Sequence, residues 1–228
     1  MRITAIRRSR RARHLLDVEL DGERRLTLPD EAVVREGLNV GNELSAAEIE
    51  ILETEEARCL ARETALRMLS SRGRTRADLA RRLERRGHDR EIVASVVQQL
   101  AEAGLLDDDA VAREYVRARI THRPLGPGRL AAGLRAKGLD DAAARSTIDR
   151  VLREEGVTEL EAAARVAEGW LARNPGARSI LADLSDAKGA RRARQRLLRH
   201  LLGRGFSRSV AGQVARSAGG SDPGAAGP

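Results

Sequence analysis

One pattern occurs three times along the chain and constrains its fold more than any other feature: leucine, three residues, leucine, three residues, glycine. It reads Leu79, Leu83, Gly87, then Leu130, Leu134, Gly138, then Leu197, Leu201, Gly205. Leucines four apart share one helix face, and a glycine four residues further on can take the left-handed conformation that closes a helix. Each copy predicts a packed helix with a defined stop. Five and nine residues past each glycine stand Ile92 and Val96, Ala143 and Thr147, and Val210 and Val214, a spacing that predicts a second helix packed on the first. The repeat makes a tandem array of helical modules the expected architecture. Only Tyr115, Trp170 and Phe206 are aromatic, so each small core must be built from aliphatic residues and the modules must lean on one another.

The first 56 residues read differently. Leu16, Val18 and Leu20 alternate with Asp17 and Glu19, and Leu26 and Leu28 resume the alternation after Asp21-Gly22. Placing Val18 opposite Leu26 and Leu16 opposite Leu28 requires a three-residue loop, Asp21 to Glu23, in a hairpin. Ile3 to Ile6 can add a strand, and Ser45 with Glu48 forms a capping box that opens a helix through Ile51 and Leu52. Helices are then expected over 57–71, 76–86 and 89–103, with Thr75 and Asp89 as caps, and over 110–119, 130–137 and 141–152. Thr158 and Glu161 cap a further helix that stops near Asn174-Pro175-Gly176; a less regular stretch to Gly189 precedes helices over 190–202 and 207–217. The fold class is mainly α: a tandem, elongated array of three three-helix modules with a small N-terminal β-hairpin and helix extension. The expected divisions are 1–56 for the extension, 57–106, 107–155 and 156–216 for the modules, and 217–228 for a disordered Gly/Ala/Pro-rich tail.

The chain carries +8, and the charge is segregated. Between His14 and Leu60 there are 13 acids against 4 bases, whereas Lys188 to Arg216 holds 9 bases and no acid. Such blocks mark either an interaction surface for a polyanion or contact between the two blocks. Two constellations stand out. Arg72, Arg74 and Arg76 precede a helix on which Arg81, Arg82, Arg85 and Arg86 lie off the leucine face; like charges four apart repel, and an anionic partner would relieve them, although a solvated face is the alternative. Arg191, Arg192, Arg194, Arg196 and Arg199 surround Leu197 and Leu201 in the acid-free segment, which favours contact with nucleic acid or an acidic protein surface.

Features of enzymes and secreted proteins are missing. Cys59 is the sole cysteine, so no internal disulfide can form. The basic start from Met1 to Arg13 leads into no signal-peptide core, and no apolar run approaches the ~20 residues of a membrane span. A soluble cytoplasmic protein is expected. The run Asp107-Asp108-Asp109 suits a helix start better than a metal site, the four histidines lack ligand spacing, and no phosphate-loop, dinucleotide, serine-hydrolase or metalloprotease motif occurs. No catalysis, cofactor or metal is expected.

In order along the chain come Ala65-Leu66-Arg67-Met68-Leu69, Thr75-Arg76-Ala77-Asp78-Leu79, Gly104-Leu105-Leu106-Asp107-Asp108 and Tyr115-Val116-Arg117-Ala118-Arg119. They are followed by Gly126-Pro127, Leu134-Arg135-Ala136-Lys137-Gly138 and Arg204-Gly205-Phe206-Ser207. This ordered set resembles the RecX family of recombinase regulators over about 160 residues, from Ala57 to Arg216. The chain departs from the family pattern at Val111, at Gly133 and in a longer connection from Pro175 to Gly189. The resemblance implies a modulator of the RecA recombinase that binds the RecA filament on single-stranded DNA and inhibits its extension, ATP hydrolysis and strand exchange. It adds Arg117, Arg135 and Lys137 to the candidate contacts and implies a role in DNA repair, recombination and the SOS response. A monomer with weak direct DNA binding is the default. The rival reading is a helix-turn-helix-like protein that binds DNA without RecA, against which the stretch 89–103 offers acids, valines and a Gln98-Gln99 pair in place of a basic base-reading face.

Overall fold

The computed structural model describes residues 1–183 and 185–218, so the expected disordered tail lies, from 219 on, outside the described residues. The chain divides into two compact units between Asp107 and Asp108.

The first unit opens with three antiparallel strands in the order β1-β2-β3: β1 Ile3–Arg8, β2 Leu15–Leu20 and β3 Arg24–Pro29. The β2–β3 register sets Val18 against Leu26 and Leu16 against Leu28, with a turn over Asp21 to Glu23 as the alternation predicts. Asp21 (φ 50°) and Gly22 (φ 78°) supply the left-handed backbone of that turn. One sheet face buries Ile3, Val18, Leu20, Leu26 and Leu28 against Val33, Leu38, Leu44, Ile49 and Leu52.

Two helices follow the sheet. The short α1 (Asp30–Arg35) was not anticipated: it starts directly after Pro29, has no side-chain cap, and is too brief to show a helical period. The second, α2, runs unbroken over Ala46–Ser71 from the Ser45/Glu48 capping box. The sequence reading placed two helices here and a division at 56/57, yet no glycine or proline interrupts this stretch and nothing there ends the helix. The first part of α2 covers the open edge of the sheet, where Glu56 Oε1 accepts the backbone N–H of Thr27 in β3 at 2.7 Å. Its later residues Ala61, Ala65 and Met68 enter a second core with Leu79 and Leu83 of α3 (Arg76–Glu84), Val93, Val96, Val97 and Leu100 of α4 (Arg90–Glu102), and Leu106. One helix thus serves both cores.

The second unit comprises α5 (Asp108–Thr121), α6 (Pro127–Ala136), α7 (Asp141–Glu154), α8 (Glu159–Ala172), α9 (Pro175–Ala182), α10 (Ala187–Gly203) and α11 (Arg208–Ser217). The first three enclose Ala112, Val116, Ile120, Leu130, Leu134, Ala144, Ile148 and Val151. The remaining four enclose a core that includes Trp170, Leu181, Leu197, Leu201, Phe206 and Val214. The eight-residue α9 occupies the stretch read as less regular, and its Ala177 and Leu181 add to this last core.

All six repeat leucines are fully buried, and Gly87, Gly138 and Gly205 have φ of 88°, 98° and 85°. The partner helix packs through the expected ninth position, Val96, Thr147 or Val214, but not through the fifth. The buried positions are six, nine and ten residues past each glycine: Val93, Val96 and Val97; Ala144, Thr147 and Ile148; Ala211, Val214 and Ala215. The fifth position, Ile92, Ala143 or Val210, sits at the rim or in solvent. Caps agree with the sequence at Thr75, Asp89 and Thr158, which each accept a backbone N–H of the following first turn, and Ser207 caps α11 in the same way.

Within the second unit, the two cores are joined backbone to backbone. Gly126 N–H donates to Arg204 O and Gly128 N–H to Gly205 O, both at 3.0 Å, and Arg129 Nε donates to Gly203 O at 3.1 Å. A Cβ on Gly126 would overlap the Gly205-Phe206 peptide, and one on Gly205 would overlap Arg129. Glycine is needed on both sides of this contact.

Candidate functional site

The arginines of the first unit do not form one uniform face. Arg74 is buried: its Nε donates to Met68 O at 3.2 Å, and its Nη1 donates to Asp78 Oδ2 at 3.2 Å. Arg82 Nε donates to both oxygens of Asp78, at 3.0 and 2.9 Å. Burial would raise the Asp78 pKa, but hydrogen bonds from Arg82 and Arg74 and their charges outweigh it and hold the carboxyl below its ordinary value. Asp78 is thus a two-arginine clamp that fixes the turn before α3 to the helix itself. Arg72, Arg76, Arg81, Arg85 and Arg86 remain exposed, with Arg81 Nε and Arg85 Nε folded back onto the carbonyls of Ala77 and Arg81.

The candidates between Ala110 and Glu155 are engaged by neighbouring helices of the same core. Arg117 binds Glu155 through Nε (2.8 Å) and Glu154 through Nη2 (2.7 Å), tying α5 to the end of α7. Arg135 pairs with Asp141 at 2.7 Å, a hydrogen bond that lowers the Asp141 pKa. Lys137 Nζ lies 5.3 Å and Arg119 Cζ 4.7 Å from the Tyr115 ring centroid, so Tyr115 holds two cations. The Tyr115 hydroxyl fills the space beside Gly133, where a Cβ would overlap it, which accounts for the glycine at this position.

The third set is arranged otherwise. Helix α10 carries Lys188, Arg191, Arg192, Arg194, Arg196 and Arg199 and no acid. Ala190, Ala193, Leu197 and Leu201 bury one side; at about 100° per residue, Lys188, Arg192 and Arg199 fall on the opposite side. Arg191, Arg192, Arg196 and Arg199 are exposed, and Arg194 is half-buried. Arg196 Cζ stands 5.7 Å from the Trp170 ring centroid, a contact that orients its guanidinium without neutralising it. No described residue forms an ion pair with any of these arginines. His200 on the same helix is held below its usual pKa by burial, then by Arg204 and Arg173.

Burial, reinforced by Glu63 and Glu55, pushes the Cys59 thiol up to about 11, well away from a reactive thiolate. Asp108 and Asp109 form the first turn of α5, and Asp109 pairs with Arg113 and Arg150. Among the described residues no helix is long and apolar enough to cross a membrane.

The fold defines a helical-repeat protein built of tandem three-helix units with a cationic helix face. Two family models match in order: the first three-helix domain of RecX at residues 61–100 and the second at 107–158. A regulatory protein RecX from Mycobacterium sp. (strain KMS) is 36% identical over 147 residues, covering 64% of this chain and 74% of that protein. One from Halorhodospira halophila is 44% identical over 107 residues, 47% of this chain and 63% of the relative. A crystal structure of a regulatory protein RecX superposes with a TM-score of 0.68 at 26% identity, covering 94% of this chain and 98% of the other. The RecX of Lactobacillus salivarius shares the fold, with a TM-score of 0.55 at 21% identity over 72% of this chain and 97% of that one. The chain belongs to the RecX family of regulatory proteins.

Proposed function

We propose that the protein regulates homologous recombination and DNA repair by binding the RecA filament on single-stranded DNA, where it restrains filament extension, ATP hydrolysis and strand exchange. It acts as a cytoplasmic monomer in the SOS response, without a cofactor or catalysis of its own. The observation that carries this reading is α10: six cations, no acid, and a solvent side opposite its buried leucines, on a chain of the RecX family. A helix that leaves so many guanidinium groups unneutralised is suited to a polyanionic or acidic partner. The exposed Arg81 and Arg85 of α3 form a second, weaker contact.

Direct DNA reading through α4 has less support. Its solvent side carries Glu91, Gln98, Gln99 and Glu102, and Gln98 Nε2 is bonded to Glu102 Oε1 at 2.7 Å. Such a helix would meet phosphate with negative charge.

The test is single-strand-dependent ATP hydrolysis by RecA of the same organism, titrated with this protein at fixed salt. Inhibition far below one protein per RecA supports the reading and points to capping of filament ends; inhibition only near stoichiometry supports it with binding along the filament. No inhibition by the folded protein sinks it.

A further inference from the structure

The basic N-terminal start is absorbed neither by the repeat nor by α10. In the structure it borders a trough of about 770 Å³ on the polar face of the sheet. The floor is largely balanced, with Arg7 and Arg25 set against Asp17, Glu19 and Glu56. Arg25 Nη1 pairs with Asp17 at 3.3 Å, Arg7 Nη1 pairs with Glu19 at 3.5 Å, and Glu56 is engaged by the Thr27 amide. The rim is not: Arg8, Arg10 and Arg11 line it, and no acid occurs between Met1 and Arg13.

The β1–β2 turn holds these rim arginines in place. Ser9 N–H donates to Leu15 O at 2.9 Å, Leu15 N–H to Ala12 O at 3.2 Å, and Arg8 Nη1 to Arg13 O at 2.8 Å. Arg10 and Arg11 are exposed and form no ion pair with a described residue. A fixed turn that gathers Arg8, Arg10 and Arg11 over a floor whose one carboxylate without an ion pair to a described residue is Glu56 leaves the trough with an excess of positive charge, which attracts anions.

We propose that this trough binds the sugar-phosphate backbone of a single-stranded nucleic acid without reading its bases. Guanidinium forks match phosphate oxygens, and no aromatic residue lines the trough to stack a base. Strands of six residues at ~3.3 Å each give a floor about 20 Å long, enough for several phosphates. Three strands about 4.8 Å apart make it about 10 Å wide, narrower than the ~12 Å major groove alone of a duplex. The site is independent of RecA and of α10.

The experiment measures binding of the full chain to a labelled oligothymidylate by fluorescence anisotropy across a salt series, with RecA absent. Arg10→Glu/Arg11→Glu is expected to weaken binding at least tenfold at low salt and to flatten the salt slope by about 1.4, two phosphates at ~0.7 each. Glu19→Gln, which removes a floor carboxylate, is expected to tighten binding. The drop caused by the Arg10/Arg11 change must persist when Arg192→Glu/Arg199→Glu already removes the contribution of α10. Wild-type affinity in the Arg10/Arg11 variant, with an unchanged thermal melt, overturns the proposal. So does equal binding of a duplex of the same length, or equal competition by polyglutamate of matched charge.

Discussion

Helices α3 and α10 are copies of one repeat, rich in arginine and closed by a left-handed glycine, yet they use those parts differently. In α3, Asp78 takes Arg74 and Arg82, so part of the positive charge serves the fold. In α10 no acid is present; Arg199 Nε donates to Gln195 O at 3.4 Å and Arg196 lies against Trp170, but no carboxylate of the described residues neutralises these arginines. The closing glycines differ in parallel. A Cβ on Gly87 would meet nothing within 4 Å, whereas Gly205 is pressed against Arg129. One repeat spends its polar residues on its own module, and the other spends its glycine on a neighbouring core and leaves its arginines open. Arginine content alone therefore does not distinguish the two helices; the presence or absence of a carboxylate paired with the arginines does.

Changes at the glycines should separate the two helices most sharply. Gly205→Ala adds backbone strain and overlap with Arg129 and is expected to cost about 3 kcal/mol. Gly87→Ala adds strain alone, about 1 kcal/mol. Urea unfolding of both variants measures the gap; equal losses would remove the asymmetry. Next, Asp78→Ala leaves the buried Arg74 without its acid and should cost about 2 kcal/mol by the same assay. A neutral result would mean that the clamp is not structural. Arg192→Glu/Arg199→Glu, by contrast, should leave stability within about 0.5 kcal/mol, because both side chains are exposed, neither has an ion pair with a described residue, and the one internal bond, Arg199 Nε to Gln195 O, is long and open to solvent.

The smallest expected effect is shared by the two regions. Burial and then Arg86 lower the His88 pKa, as burial, Arg204 and Arg173 lower that of His200. A folded value below the unfolded one, near 6.5, means that the fold favours neutral imidazole. This contribution is complete above about pH 6.5 and is lost as pH falls below it. Thermal melts from pH 7.5 to 5 should show a decline that His88→Gln/His200→Gln reduces; an identical decline in the variant would assign it to other groups.

Local rules carried much of the fold into view from the sequence. The leucine pairs, the left-handed glycines, the caps at Thr75, Asp89 and Thr158, and the three-residue hairpin loop all depend on neighbours within a few positions. What escaped depends on tertiary context. The partner helices bury Val96, Thr147 and Val214 as the spacing suggested, but Val93, Ala144 and Ala211 pack where Ile92, Ala143 and Val210 were expected. The continuity of α2 was hidden by reading a change in composition as a break. Gly126 and Gly205 stood out in the sequence, but their mutual contact, 79 positions apart, left no local signal. For the site, the acid-free stretch of α10 was legible at once. The pairing of Arg117 with Glu154 and Glu155 joins helices far apart in the chain, and only the fold brings it together. The Arg82–Asp78 pair, four residues apart on one helix, could have been read from spacing.

The measurement that bears most directly on the account compares two charge reversals in the RecA ATPase titration: Arg192→Glu/Arg199→Glu on α10 and Arg81→Glu/Arg85→Glu on α3. The account predicts that the α10 variant, folded by circular dichroism, needs at least tenfold more protein for half-inhibition, about 1.4 kcal/mol, and that the α3 variant loses less. Full inhibition by the α10 variant, or a larger loss in the α3 variant, would contradict it.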